Sequence, residues 1–304
     1  MEYVLTTRSL SKHYGHFKAI SDLSMNVPKG AIYGFVGKNG AGKTTLIRLI
    51  CGLQRPTDGS YTLYGSKYGK DDMSKARRRM GAVVETPSIY LNMTAEENLR
   101  HQYMILGRPS FDGIRELLEL VGLSRTGRKK AKDFSLGMRQ RLGIAVALAG
   151  NPDFLVLDEP VNGLDPQGII EMRELILKLN QEHQITFLIS SHILDELSRL
   201  ATHYGFIDKG HMIKEISARD LENACRKGVH VDVSDTGVLS CILDEEGLEY
   251  KILTEHTADI YGQPDVTELV MKLAARDCRL KAVYEKDESL ESYYIRLLGG
   301  EGHA

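Results

Sequence analysis

Gly37-Lys38-Asn39-Gly40-Ala41-Gly42-Lys43-Thr44 sets two glycines, separated by four residues, ahead of a Lys-Thr pair. The apolar run Ala31-Ile32-Tyr33-Gly34-Phe35-Val36 before it is short enough for a buried strand. Thr45-Leu46-Ile47-Arg48-Leu49-Ile50 after it repeats apolar residues at helical spacing. Strand, glycine loop and helix is the context in which such a loop cradles phosphate. The glycines let backbone N–H groups turn inward around phosphate oxygens, and the helix N-terminus adds partial positive charge. Lys43 neutralises the β and γ oxygens, and Thr44 offers its hydroxyl to Mg²⁺. Gly37, Lys38, Asn39, Gly40, Ala41, Gly42, Lys43, Thr44 and Thr45 are therefore the expected binding positions for ATP.

At 304 residues the chain suits one large domain and a smaller one. A net charge of −2 gives no overall bias toward nucleic acid or an anionic membrane. The basic runs Arg77-Arg78-Arg79 and Arg128-Lys129-Lys130 read as solvated faces. Cys51, Cys225, Cys241 and Cys278 are scattered, with no close pair to suggest a metal or redox motif, so a reduced, cytosolic setting is expected. No apolar run approaches the roughly 18 residues that span a bilayer, and the N-terminus from Met1 to Arg8 lacks a charged stretch followed by an apolar block. Any membrane role must come through a partner.

Residues 1–36 read as short strands with turn signals, an antiparallel edge feeding a parallel sheet. Asp22-Leu23-Ser24-Met25-Asn26-Val27 alternates, and Pro28-Lys29-Gly30 breaks before the buried strand. Residues 94–121 are helix-rich, with a capping box in Thr94-Ala95-Glu96-Glu97. Strands at 154–159, 185–190 and 203–208 alternate with helical segments, as in a doubly wound α/β domain. Past about residue 216 the pattern changes to strands at 229–233, 250–254 and 280–285 around helices near 236–246 and 264–277. The expected division is 1–216 and 217–304, the second part being a small α+β appendage.

The second chemical element is Phe154-Leu155-Val156-Leu157-Asp158-Glu159-Pro160, which buries a strand and leaves two carboxylates at its C-terminal end, where α/β sheets place ligands. Asp158 would orient Mg²⁺, directly or through water, and Glu159 would polarise the water that attacks the γ-phosphate.

Two further segments complete a recognisable order. Phe134-Ser135-Leu136-Gly137-Met138-Arg139-Gln140-Arg141 places Ser135 23 residues before Asp158 (158 − 135), and His192 follows Glu159 by 33 (192 − 159). Over roughly residues 1–215 the chain resembles the nucleotide-binding domain of ATP-binding cassette (ABC) transporters. The resemblance implies an α/β P-loop NTPase fold of ABC type, with a RecA-like core, an antiparallel β subdomain and a helical subdomain. It also implies a γ-phosphate contact from His192, adenine stacking by Tyr14, and a D-loop in Asn162-Gly163-Leu164-Asp165-Pro166 that crosses to a second subunit. Asp165 and Pro166 read independently as a helix N-cap and first helical position.

Two positions depart from the family pattern. Leu136 and Met138 stand where the signature segment usually has glycine and glutamine, while Ser135 and Gly137, which the resemblance implies would bind the γ-phosphate of the opposite subunit's nucleotide, are retained. Glu85, in Val83-Val84-Glu85-Thr86-Pro87, stands where the family has its Q-loop glutamine. A carboxylate there is expected to face Mg²⁺ or water and to transmit the nucleotide state to a membrane partner. These departures and the C-terminal appendage resemble the ATPase subunits of bacitracin- and lantibiotic-type exporters. The implied assembly is a homodimer of the ATPase, attached at the cytoplasmic face of the membrane to a separately encoded permease, with no nucleic-acid partner. The other readings are an importer ATPase with a ligand-sensing C-terminal domain and a soluble ABC ATPase acting on ribosomes or DNA. The second fits poorly with a single cassette in which only 50 residues (135 − 85) separate Glu85 from Ser135.

Overall fold

Three runs of wholly buried residues form the centre of the larger unit: Ile32–Val36, Phe154–Asp158 and Thr186–Ser191. Strands covered on both faces lose the apolar–polar alternation and read as continuous apolar stretches, which is the condition for a parallel sheet flanked by helices. The computed structural model describes residues 2–225, 227–262, 264–286 and 288–299. Met1 and residues 300–304, the end of the expected appendage, lie outside the described residues.

In chain order the larger unit runs β1 (Tyr3–Tyr14), β2 (Phe17–Pro28), β3 (Ile32–Val36), α1 (Lys43–Ile50), β4 (Asp58–Leu63), β5 (Ser66–Lys67), α2 (Ser74–Arg78) and β6 (Met80–Val83). It continues through α3 (Ala95–Ile105), α4 (Ile114–Leu120), α5 (Leu136–Leu148), β7 (Phe154–Asp158), α6 (Pro166–His183), β8 (Thr186–Ser191), α7 (Leu194–Ser198), β9 (His203–Asp208) and β10 (His211–Ser217). The six-stranded sheet has the order β10-β9-β3-β8-β7-β6, parallel except where β10 returns antiparallel on β9. The N-terminal strands are not short. β1 and β2 form a twelve-residue antiparallel pair, and with β4 and β5 they make a separate four-stranded sheet of order β2-β1-β4-β5. Leu23, Met25 and Val27 turn inward from β2 to a core shared with Leu46, Ile47, Leu49 and Ile50 of α1. Burying each such side chain contributes about 1.5–3 kcal/mol, so the antiparallel sheet fixes the helix that follows the glycine loop.

Local signals set the helix starts. Thr94 and Glu97 form the reciprocal capping box ahead of α3, Ser135 caps α5 by accepting from Met138 N, and Asp165 caps α6 with Pro166 in the first turn. None of the four cysteines forms a disulfide.

The chain divides into compact units at Met1–Ala218 and Arg219–Ala304. The smaller contains β11 (Gly228–Val233), α9 (Thr236–Glu246), β12 (Tyr250–Ile252), β13 (Thr257–Tyr261), α10 (Val266–Ala274), β14 (Leu280–Glu285) and α11 (Leu290–Gly299), preceded by a short helix, α8 (Ala218–Ala224), that starts at the boundary. Its antiparallel sheet has the order β12-β13-β11-β14. Val231, Val233, Ala258 and Ile260 of that sheet pack on Leu239, Ile242 and Leu243 of α9 and on Leu269 and Leu273 of α10. β13 is an addition to the strands read from the sequence, and the strand expected at 250–254 stops at Ile252.

Candidate functional site

The loop between β3 and α1 leaves the sheet at its C-terminal edge. Gly37 N donates to Ser191 O at 3.4 Å and Gly210 N to Ala41 O at 3.0 Å, which ties the loop to the ends of β8 and β9. Glycine is required at both ends of the loop. A Cβ on Gly37 would lie 2.6 Å from the carbonyl oxygen of Ile207, and Gly42 holds φ at 112° with Ala19 O 2.6 Å from where a Cβ would stand. Gly42 is the N-cap of α1 and supplies no side-chain cap, so the first N–H donors of the helix stay available to an anion. A cavity of about 270 Å³ opens here, lined by Asn39, Gly40, Lys43, Thr44, Thr45 and Glu159, together with Gly42, Phe17 and Ala19.

Lys43 is 5% exposed. Its Nζ donates to Gly37 O at 2.5 Å and Lys38 O at 3.2 Å, and it pairs with Glu159 Oε1 at 3.2 Å. Glu159 therefore stands directly against the glycine loop. Its other oxygen, Oε2, lies 2.8 Å from His192 Nδ1. A carboxylate accepts, so Nδ1 carries the proton and Nε2 is left for another partner. Glu159 has φ of 51°, a left-handed conformation that costs a non-glycine residue about 1–2 kcal/mol. Two bonds hold it there: its N–H donates to Ser190 Oγ at 3.0 Å and to Ser190 O at 3.2 Å.

Asp158 is 3% exposed and accepts from Ser190 Oγ at 2.5 Å. Among the described residues no cation pairs with it. A buried carboxylate with only a hydroxyl for a partner is costly unless a charge of opposite sign joins it. Its oxygen, with the Thr44 hydroxyl, offers the hard donors that Mg²⁺ takes. Ser190 thus positions both carboxylates, a role that no motif announces in the sequence. Its sole local cue is its place two residues before His192.

The remaining expected residues are not all at the cavity. Tyr14 ends β1 with a half-exposed ring. Lys12 Nζ lies 5.1 Å from the ring centroid, and the hydroxyl donates to Gln54. Ser135 and Gly137 open α5, and Asp165 opens α6. The two starts pack together, since a Cβ on Gly163 would sit 3.2 Å from Leu136 Cδ2 and one on Gly137 3.7 Å from Leu164 Cδ2. They lie outside the lining of the Lys43 cavity. Glu85 has φ of 62°, and its carboxylate pairs with Arg48 near the end of α1 instead of lining that cavity.

A second concavity is lined by residues on either side of Glu85 in sequence. Val83 and Ser88 line this groove of about 710 Å³, which includes Arg77, Arg78, Ile105, Leu106 and Arg108. Met104, Ile105 and Leu106 at the end of α3 are exposed.

The family model described as ABC transporter matches residues 20–162. A bacitracin transport ATP-binding protein from Enterococcus faecalis is 39% identical across 100% of this chain and 99% of its own. A lantibiotic transport ATP-binding protein from Streptococcus pyogenes is 41% identical across 72% of this chain and 93% of its own. Among solved structures, a dimeric post-hydrolysis cassette bound to ADP and Pi superposes with a TM-score of 0.63 at 25% identity, covering 71% of this chain and 99% of that one.

Proposed function

The chain belongs to the ABC transporter family as one of its ATP-binding, ATP-hydrolysing proteins, and from that premise we propose that it powers export of, or immunity to, bacitracin- or lantibiotic-type peptides or a related amphipathic substrate. Likeness over the full length to a bacitracin transport ATP-binding protein supports this reading over an importer ATPase or a soluble factor. The carrying observation is the chain of contacts Lys43–Glu159–His192 at the glycine loop.

Its chemistry follows from that chain. The loop N–H groups and the N-terminus of α1 hold the phosphates of ATP, and Tyr14 stacks on the adenine. Lys43 exchanges its Glu159 contact for β and γ oxygens, which frees Oε1 to accept from the attacking water. His192 keeps Glu159 oriented through Nδ1 and presents Nε2 to the γ-phosphate. Catalysis is then positioning and charge stabilisation in a site whose groups are already placed. Asp158 and Thr44 would hold Mg²⁺, which supplies positive charge against the phosphate oxygens. Ser135 and Gly137 of a second copy close over the γ-phosphate, with Asp165 beside them, so that ATP seals a homodimer and hydrolysis reopens it. We assign residues 1–216 to the cassette and 217–304 to an accessory domain.

Among the described residues no helix is long and apolar enough to cross a membrane. In this reading the membrane-spanning work falls to a separately encoded permease, with the ATPase attached at the cytoplasmic face, as the naming of the relatives as transport ATP-binding proteins supports. The groove beside β6, apolar at Ile105 and Leu106 and basic at Arg77, Arg78 and Arg108, is the surface proposed for that contact. Glu85 lies in sequence between Val83 and Ser88 of its lining and pairs with Arg48 in the last turn of α1, the helix that follows the glycine loop. Nucleic acid is not proposed as a partner, in keeping with the net charge of −2. The test is co-expression with the membrane protein encoded beside it. The two should co-purify, ATP hydrolysis should rise in vesicles on adding bacitracin or a lantibiotic, and cells should gain resistance. Hydrolysis that is indifferent to permease and peptide would reject the exporter reading.

A further inference from the structure

β14 is an outer strand of the smaller unit's sheet, and residues 281–285 are all exposed. The opposite edge, β12, is only three residues long. The ladder fixes which backbone groups of β14 are unused. Lys286 N donates to Gly228 O at 2.9 Å beside the Val229–Glu285 pairing, which makes Val229 and Glu285 a pair without direct hydrogen bonds. By alternation Tyr284 turns its N–H and C=O toward β11, whereas Val283 and Glu285 turn theirs away from the sheet. Free edges of this kind are templates for another strand, and charged side chains usually block them. Here the charges are arranged to agree with a two-fold axis.

We propose that β14 pairs antiparallel with β14 of a second copy of this chain, with Val283 opposite Val283 across the axis. In that register the outward N–H and C=O of the two Val283 residues bond each other, and Lys281 of each copy faces Glu285 of its mate. Two opposite-charge cross-strand pairs result, and a shift of register by two residues loses both. Lys281 is already directed to a carboxylate, lying 3.7 Å from Asp232 within its own chain, and is half exposed. The contact joins the two sheets without involving nucleotide, so it would hold subunits together while the cassettes open and close.

Sedimentation of the full chain without nucleotide and with EDTA separates this contact from ATP-sealed dimerisation. The wild type is expected to be dimeric. Lys281→Glu and Glu285→Lys should each weaken the dimer about tenfold or more by placing like charges opposite each other twice, and the double variant should recover it. Val283→Pro should give a folded monomer that still melts cooperatively, since it removes only an outward N–H. A wild-type monomer, or a dimer indifferent to these three single changes, would overturn the pairing. ATP binding measured on the same samples reads the cassette independently: its loss in the wild type would reject the ATPase site and leave β14 judged on sedimentation alone.

Discussion

Glu159 and His192 lie 33 residues apart in sequence and 2.8 Å apart in space, His192 Nδ1 against Glu159 Oε2. The strands β7 and β8 end side by side in register, Asp158 opposite Ser190, so Glu159, one residue further on, and His192, two residues further on, are delivered to one point. Glu159→Gln keeps the side chain's shape but replaces an oxygen of the carboxylate proposed to accept from the attacking water. ATP should still bind, turnover should fall by about 10²–10⁴-fold, and an ATP-bound dimer should persist in size-exclusion chromatography. Near-normal turnover would move the base elsewhere.

Lys43 pairs with Glu159 and also braces the loop through two carbonyls. Lys43→Ala should lower nucleotide affinity by about 10–100-fold, since hydrogen bonds to charged groups contribute about 1.5–3 kcal/mol. Calorimetric titration and thermal melting, run together, separate binding from folding. A folded variant with wild-type affinity contradicts the assignment.

Much of this site is legible in the sequence because its parts are local. The glycine loop lies between a continuous apolar strand and an amphipathic helix, and Asp158-Glu159 ends a run of four apolar residues. In the smaller unit, helix 236–246 carries its own boundaries: Asp235 accepts from Gly237 N, and Gly247 ends the helix with φ of 65°. What escaped depends on distant contacts. β13 offers only Ala258 and Ile260 inward, and Asp259 between them makes the segment look like a loop until His230 and Lys286 are seen to bind its carboxylate. The neighbouring strand stops at Ile252 because Leu253 and Thr254 both donate to Thr257 O and close a turn. Ser190 had no motif to mark it, and the Arg48 partner of Glu85 lies 37 residues away.

That Arg48–Glu85 pair joins the end of α1 to the segment between Val83 and Ser88 of the basic and apolar groove. Arg48 is about a third exposed and Glu85 about half, so solvent screens the pair and it adds at most about 1 kcal/mol to stability. Its substitution should therefore affect coupling more than folding. Glu85→Ala and Arg48→Ala should each leave ATP affinity within about threefold of wild type and reduce permease-stimulated hydrolysis and resistance. Full stimulation in both variants would reduce Glu85 to a strand-end residue.

Glu215 supplies a pH test away from the site. Its Oε1 accepts from Tyr33 Oη at 2.6 Å and from Asn26 N at 2.9 Å, joining the β10 edge of the parallel sheet to β3 and to the antiparallel sheet. Burial raises its carboxyl above the ordinary glutamate range, against the lowering effect of those two donors. Burial also raises the Tyr33 hydroxyl well above its usual value, so Tyr33 stays a donor throughout. A carboxyl raised in the folded state favours folding fully at pH below its unfolded value, and that contribution disappears as pH climbs through the folded value. Glutamine keeps a carbonyl oxygen for both donors and cannot ionise. The melting temperature of Glu215→Gln relative to wild type should therefore increase between pH 4 and pH 7. A difference that stays flat over that range, or falls, would mean that the Glu215 carboxylate is as well accommodated in the folded chain as in water.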